Sequence, residues 1–327
     1  MQKKKFFRLL TVWILCVVLM VGCNPIPDKT PRKVLSCFSV HYIDVGQGDC
    51  IFINLPDGKK IVIDSGRDVG NNAQTITEFL STYSVRTIDY LIVSHPDGDH
   101  VGNTKTLIEN YQIGKIYHPF IIDEMLYLST EYKRTIELAK DKEIELDVSD
   151  SFDFIKGEDY QLIFLSPNPL KTSDSAYKDY VSTATPSEEE INNLSPIIYL
   201  EYAGVKFVFT GDAGKKQEMV ALNNLSVLKS YYTYNELNVD LTYVDFLKVS
   251  HHGSADSTSD EFLQKLKPKN AVISVGGNNF YGHPSTTLLA RLLEHSPNYN
   301  LYRTDVHGTV SVGVNEFGVV EVVKDNI

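Results

Sequence analysis

The chain has 327 residues, 43% of them hydrophobic and 22% charged, with 19 Tyr and 15 Phe. That supports one large domain or two small ones with a real core, and it excludes a disordered chain. A formal net charge of −11 excludes loose adhesion to nucleic acid or anionic lipid, so any phosphate-bearing ligand must be held locally, for instance by a metal.

Residues 1–22 open on Lys3, Lys4, Lys5 and Arg8 and continue as an apolar stretch from about Leu9 to Val21, the pattern of a secretory signal. The ending "LMVGC" resembles a bacterial lipoprotein box, which would make Cys23 the lipid-bearing first residue of an exported chain facing the extracellular side of the membrane. An uncleaved membrane anchor is the alternative. Loss of residues 1–22 would take the net charge from −11 to −15. Residues 23–37 hold three prolines and several charges and read as a tether, leaving a folded domain over 38–327. Cys37 and Cys50 flank a hairpin at unequal distances from its turn, so the compartment permits a disulfide but the geometry does not support one.

"CFSVHYIDVGQGDCIFINLPDGKKIVIDSG" predicts strand, Gly turn, strand, "PDG" turn, strand. Ile76, Phe79, Leu80 and Tyr83 make one helical stripe. "IDYLIVSH" reads as a strand buried on both faces, and a helix is expected around Thr104–Tyr111. From about 120 to 195 a variable insertion is expected, with a charged helix near Glu131–Lys142 and a long polar surface run. Order resumes with a hairpin about Ala203-Gly204 and a helix over Lys215–Asn224. The strand "VDFLKVSHHGS", a helix over Asp260–Lys267 and the strand "NAVISVGG" follow. A helix capped by Ser285 and two terminal strands finish the chain. Twice a buried strand ends in "VSH" before a polar loop, which implies two similar halves whose ligands converge at one edge of two sheets.

In "HPDGDH", His95, Asp97, Asp99 and His100 follow a buried strand within six residues. "PDGD" alone is ordinary turn chemistry, but four ligand-type side chains splayed by one tight turn fit one or two divalent metals. Asp212 in "FTGDAG" and His251-His252 in "VSHHGS" sit where further donors belong, although Asp212 could equally cap the helix after it.

"HPDGDH", "TGDA" and "HHGS", in this order and spacing, resemble the metallo-β-lactamase fold. More narrowly, "DVGQGDCIFI", "VIDSG", "VSHPDGDHVG", "FTGDA", "LKVSHHGSADSTSDEFL", "NNFYGHPS" and "YRTDVHGTV" resemble the soluble hydrolase domain of ComEC-type competence proteins, over about residues 38–315. The polytopic channel of those proteins has no counterpart in this sequence. The resemblance implies an α/β, four-layer αββα fold of two mixed β-sheets between helices. It also implies a two-metal-ion hydrolase: His95 and Asp97 on one metal, Asp99 and His100 on the other, Asp212 bridging, and His252 rather than its neighbour His251 completing the second site. Asp99, Asp212 and His283 would do the catalytic work, with His283 facing substrate instead of merely capping a helix. Many members of the fold carry one more histidine before the bridging aspartate; here that place falls near Asn192, Asn193 and Ser195. His118 comes too early to replace it.

The wider pattern His-x-His-x-Asp-His is His-x-Asp-x-Asp-His here. A carboxylate in place of an imidazole, with another imidazole missing, hardens the site and favours Mn2+ or Mg2+ over Zn2+, which remains possible. Such a site suits phosphodiesters, single-stranded DNA among them. A choline-bearing cell-wall polymer, or a non-catalytic surface-binding lipoprotein, are the competing expectations. Asp64 is expected to bond the loop or to orient a ligand histidine; "DVGQGD" is too short for a nucleotide loop. Tyr281, Arg303 and Asp305 are candidates for the same edge, and His41 and His295 read as plain histidines.

Overall fold

The computed structural model describes residues 34–35, 37–120, 129–168 and 186–326. The signal, Cys23 and most of the proposed tether lie outside the described residues. Among the described residues no helix is long and apolar enough to cross a membrane.

The first half builds β1 (Phe38–Tyr42), β2 (Ile51–Asn54), β3 (Lys60–Ile63), α1 (Asn72–Thr82), β4 (Thr87–Ile92), α2 (Gly98–Val101), α3 (Thr104–Asn110), β5 (Gln112–His118), α4 (Thr130–Asp141) and β6 (Glu145–Val148). The second half contributes β7 (Phe154–Lys156), β8 (Tyr160–Phe164), α5 (Glu188–Asn192), β9 (Ile198–Tyr202), β10 (Val205–Phe209), α6 (Lys215–Val227), α7 (Lys229–Tyr234) and β11 (Phe246–Lys248). A one-turn 3-10 segment (Ser250–Gly253) leads to α8 (Asp260–Leu266), β12 (Asn270–Ile273), α9 (Thr286–His295), β13 (Asn300–Arg303), α10 (Thr304–His307), β14 (Val310–Val314) and β15 (Val320–Lys324).

One sheet runs β15-β14-β1-β2-β3-β4-β5-β6 and the other β13-β12-β11-β10-β9-β8-β7. Both are mixed: β1 pairs antiparallel with β2 and β14 while β3, β4 and β5 run parallel, and β10 is antiparallel to β9 but parallel to β11. Strand alternation explains the layers. Phe38, Val40 and Tyr42 from β1 meet Phe207 and Phe209 from β10 in a core between the sheets. The opposite faces, such as Val62 in β3 and Val208 in β10, pack under helices. Ile76, Phe79 and Leu80 of α1 cover one sheet, and Phe262, Leu263, Leu288 and Leu292 of α8 and α9 cover the other. This is the four-layer αββα arrangement.

The stretch expected as an insertion at about 120–195 is partly built into both sheets. β6 pairs with β5, and β7 and β8 pair beside β9. Short strands interleaved with turns gave too weak a period to be read there. Cys37 is exposed and Cys50 buried, and both are free.

Candidate metal centre

Two parallel strands end at the same edge. β4 stops at Ile92, and the turn Ser94–Gly98 runs into α2; β11 stops at Lys248, and His251 and His252 take left-handed conformations with φ of 48° and 51°. Adjacent residues at positive φ are costly for non-glycine side chains; here they turn both imidazoles back toward β10, whose end carries Gly211 and Asp212.

The structure brings His95, His100 and Asp212 within 4.8 Å of one another as one ligand group, and Asp99, His100 and His252 as a second. His100 is common to both. His252 Nε2 lies 3.4 Å from Asp212 Oδ2 and 3.5 Å from Asp99 Oδ2. His251 Nε2 stands farther off, 3.8 Å from Asp212 Oδ2, and its ring faces His283. Asp97 Oδ2 is 3.6 Å from His95 Nε2, with more than a third of its side chain exposed.

What stands behind the imidazoles fixes which nitrogen faces inward. His100 Nδ1 is 2.8 Å from Asp64 Oδ2, and His252 Nδ1 is 2.8 Å from the Ser274 carbonyl. Both partners accept only, so each Nδ1–H donates outward and Nε2 is the nitrogen turned into the cluster. Ser94 Oγ donates to Asp64 Oδ2 at 2.7 Å, so its oxygen is left to accept from His95 Nδ1 at 3.0 Å. Ser195 Oγ, 3.2 Å from the same Nδ1, also accepts the Asp212 N–H. His95 Nε2 and Asp212 Oδ1 are buried without a hydrogen-bond partner, and His100 Nε2 faces His252 Nε2 at 3.3 Å. Two imidazole nitrogens at that distance, beside Asp212 and Asp99, are held together by positive charge, either a proton or a metal ion.

Charge tells the same story. Burial alone would lower the pKa of His100 and His252, yet Asp212 on both, Asp64 on His100 and Asp99 on His252 hold them above the ordinary imidazole value. Burial likewise works to raise Asp99 and Asp212, but the surrounding imidazoles keep both carboxyls well below the usual range. The cluster draws positive charge, and divalent ions on imidazole Nε2 and carboxylate oxygens fit its donors.

The centre opens into a cleft lined by Asp97, Asp99, Asp212, His251, His252 and His283, with Gln47, Arg67, Glu188 and Tyr281 at its rim. His283 Nδ1 is buried without a partner, and burial with the nearby His251 and His252 pushes its pKa down to about 4. Arg303 and Asp305 pair with each other at 2.6 Å and do not line this cleft. His41 is buried between Ser39 and Ser311, and His295 pairs with Asp260 at the surface.

Sequence reasoning treated Ser195 as a missing ligand; in space it steadies His95 and the Asp212 backbone. It also passed over Arg67, the one Lys or Arg lining the cleft among the described residues, and the buried pair Asp49–Lys248. A lysine inside the apolar run "DFLKV" was the available signal for the latter.

Residues 43–174 match the family model described as the metallo-beta-lactamase superfamily. ComE operon protein 3 of Bacillus subtilis (strain 168) is 28% identical over 286 residues, 83% of this chain and 32% of that protein. Competence protein ComA of Neisseria gonorrhoeae is 27% identical over 294 residues, 90% of this chain and 34% of its own length. The chain thus spans about a third of the curated relatives it matches. A solved CmlA beta-hydroxylase mutant aligns with a TM-score of 0.50 at 13% identity, covering 85% of this chain and 54% of that one, a likeness of fold alone. The chain thus resembles the metallo-beta-lactamase superfamily over residues 43–174, shares its four-layer fold, and is similar over most of its length to ComE operon protein 3 and ComA.

Proposed function

We propose that this chain is an exported, metal-dependent phosphodiesterase acting on DNA, held at the outer face of the membrane by a lipid on Cys23. The observation that carries the catalytic reading is the facing pair His100 Nε2 and His252 Nε2 between Asp99 and Asp212, with every Nδ1–H already spent behind. The competence-protein relatives support the choice of DNA.

Two divalent ions would supply an acidified water and neutralise charge on the phosphoryl and leaving oxygens. The chain's own residues do the rest. Asp97, Asp99 and Asp212 provide oxygen donors that favour Mn2+ or Mg2+ over Zn2+. His283, neutral because its pKa is pushed down to about 4, presents an N–H to a substrate oxygen at the mouth. Arg67 makes a loose ion pair with Asp99, Nη2 to Oδ1 at 3.9 Å, and would offer its other N–H groups to an anionic substrate oxygen. The cleft measures about 130 Å³, room for a phosphoryl group but below the roughly 300 Å³ at which pockets begin to enclose whole ligands. The remainder of the substrate would therefore lie outside.

One feature favours a second reading. Among the described residues the cleft carries Asp97 and Glu188 and a single arginine, not a basic groove, which suits the zwitterionic phosphodiester unit of a choline-bearing cell-wall polymer. A purely binding role has no comparable support.

The deciding experiment offers single-stranded DNA, duplex DNA, a phosphocholine diester and a generic phosphodiester to purified residues 24–327, with Mn2+, Mg2+ or Zn2+. Manganese-dependent cleavage of single-stranded DNA, lost in Asp99→Ala, is the expected result. Cleavage of the choline diester alone would transfer the assignment to the second reading. Turnover unchanged in Asp99→Ala would remove the site from the reaction.

A further inference from the structure

Lys248 is wholly buried, and a lysine in that setting must have its charge answered. Its ammonium forms a tight ion pair with Asp49 Oδ2 and donates to the Gly211 carbonyl at 3.1 Å. Each contact reaches a different ligand-bearing segment. Asp49, in the loop between β1 and β2, donates its backbone N–H to the Asp99 carbonyl at 3.1 Å, so it grips the "HPDGDH" turn. Gly211 immediately precedes Asp212, and the same carbonyl also accepts the His251 N–H at 3.1 Å. Lys248 itself ends β11, three and four residues before His251 and His252. The Asp49 carboxylate also stands behind two imidazoles, with Oδ1 3.5 Å from His252 Nδ1 and Oδ2 3.9 Å from His100 Nδ1.

We propose that Lys248 and Asp49 are positioning residues that clamp the three ligand-bearing segments, 95–100, 211–212 and 251–252, at the spacing two metals need. Asp49 also falls within 4.8 Å of Asp64 and His100, but Lys248 occupies its carboxylate and His100 turns its Nδ1–H to Asp64 there, so the pair acts from behind the ligands. Metal sites depend on such outer contacts for affinity, because a displaced ligand forfeits coordination even when the fold survives. The inference rests on the metal-site reading above but not on any particular substrate.

The test uses Lys248→Met, Asp49→Asn and the double variant in the full exported domain, each assayed for thermal unfolding without metal and for Mn2+ affinity by titration. Single variants strand a buried charge and are expected to lower the melting temperature. The double variant removes both charges and is expected to regain most of the wild-type melting temperature, while binding Mn2+ at least tenfold more weakly. If the double variant recovers wild-type Mn2+ affinity along with its stability, the pair is merely structural and the proposal fails. If wild-type protein binds no Mn2+, Mg2+ or Zn2+, the metal-site reading itself falls. If it binds metal but cleaves no phosphodiester, only the substrate assignment is lost and the clamp is still judged by affinity.

Discussion

Asp64 is a single carboxylate holding one ligand and its neighbour. It accepts from His100 Nδ1, from the Ser94 hydroxyl and from the Ser94 N–H, and through Ser94 it also sets His95. The conformation at Asp64, φ 59°, is strained for an aspartate and is maintained by those bonds. Removing them in Asp64→Ala is expected to weaken Mn2+ binding by about 10- to 100-fold, read by calorimetric titration; unchanged affinity would sink this role. Asp97 tests the metal preference. Asp97→His restores the commoner imidazole and should raise affinity for Zn2+ relative to Mn2+, measured by competition between the two ions. An unaltered ratio would mean that Asp97 does not select the metal. Asp97 and the absent histidine were visible as letters; that Ser195 supports His95 was not, because those residues lie 100 positions apart.

At the scale of elements, the site is held by loops pressed closely together. Gly48, at φ 140°, lies so near the metal turn that a Cβ there would fall 2.3 Å from the Asp99 carbonyl oxygen. Gly48→Ala must therefore push that turn away, with an expected cost above about 1 kcal/mol and weaker metal binding, both measurable on one preparation. On the other side, Glu218 of α6 is buried and accepts the N–H groups of Thr258 and Ser259, and Ser259 in turn caps α8. Burial raises the Glu218 pKa despite those hydrogen bonds. As pH rises, the unfolded chain thus releases this proton before the folded one does, so the stability owed to Glu218 falls across the window just above the ordinary glutamate value. The stability difference between wild type and Glu218→Gln, from urea unfolding, should accordingly shrink from pH 4 to pH 8. A growing difference would mean that the carboxylate is the favoured form in the fold.

For the whole molecule, the candidate ligands bridge the two sheets: His95 and His100 follow β4, while Asp212 and His252 follow β10 and β11. A metal bound there would tie both halves together and belong to the folded state only. Metal at 100 times its dissociation constant stabilises by about 2.7 kcal/mol, on the order of 5 °C in melting temperature for a domain of this size. Chelation is expected to lower the transition by that amount and Mn2+ to restore it. A scan indifferent to chelator would argue against a site spanning the sheets.

The sequence by itself determined the layers and the ligand types. Strand alternation in β1 and β10, the stripe on α1 and the motif residues His95, Asp99, His100, Asp212 and His252 are local patterns that survive without knowledge of the fold. Tertiary structure alone decided which imidazole nitrogens face inward, that His252 lies nearer Asp212 than His251 does and also reaches Asp99, and that Asp49 and Lys248 meet beneath them. Those facts depend on strands from different sheets ending at one edge, and a linear chain carries no record of distance between residues it brings together only by folding.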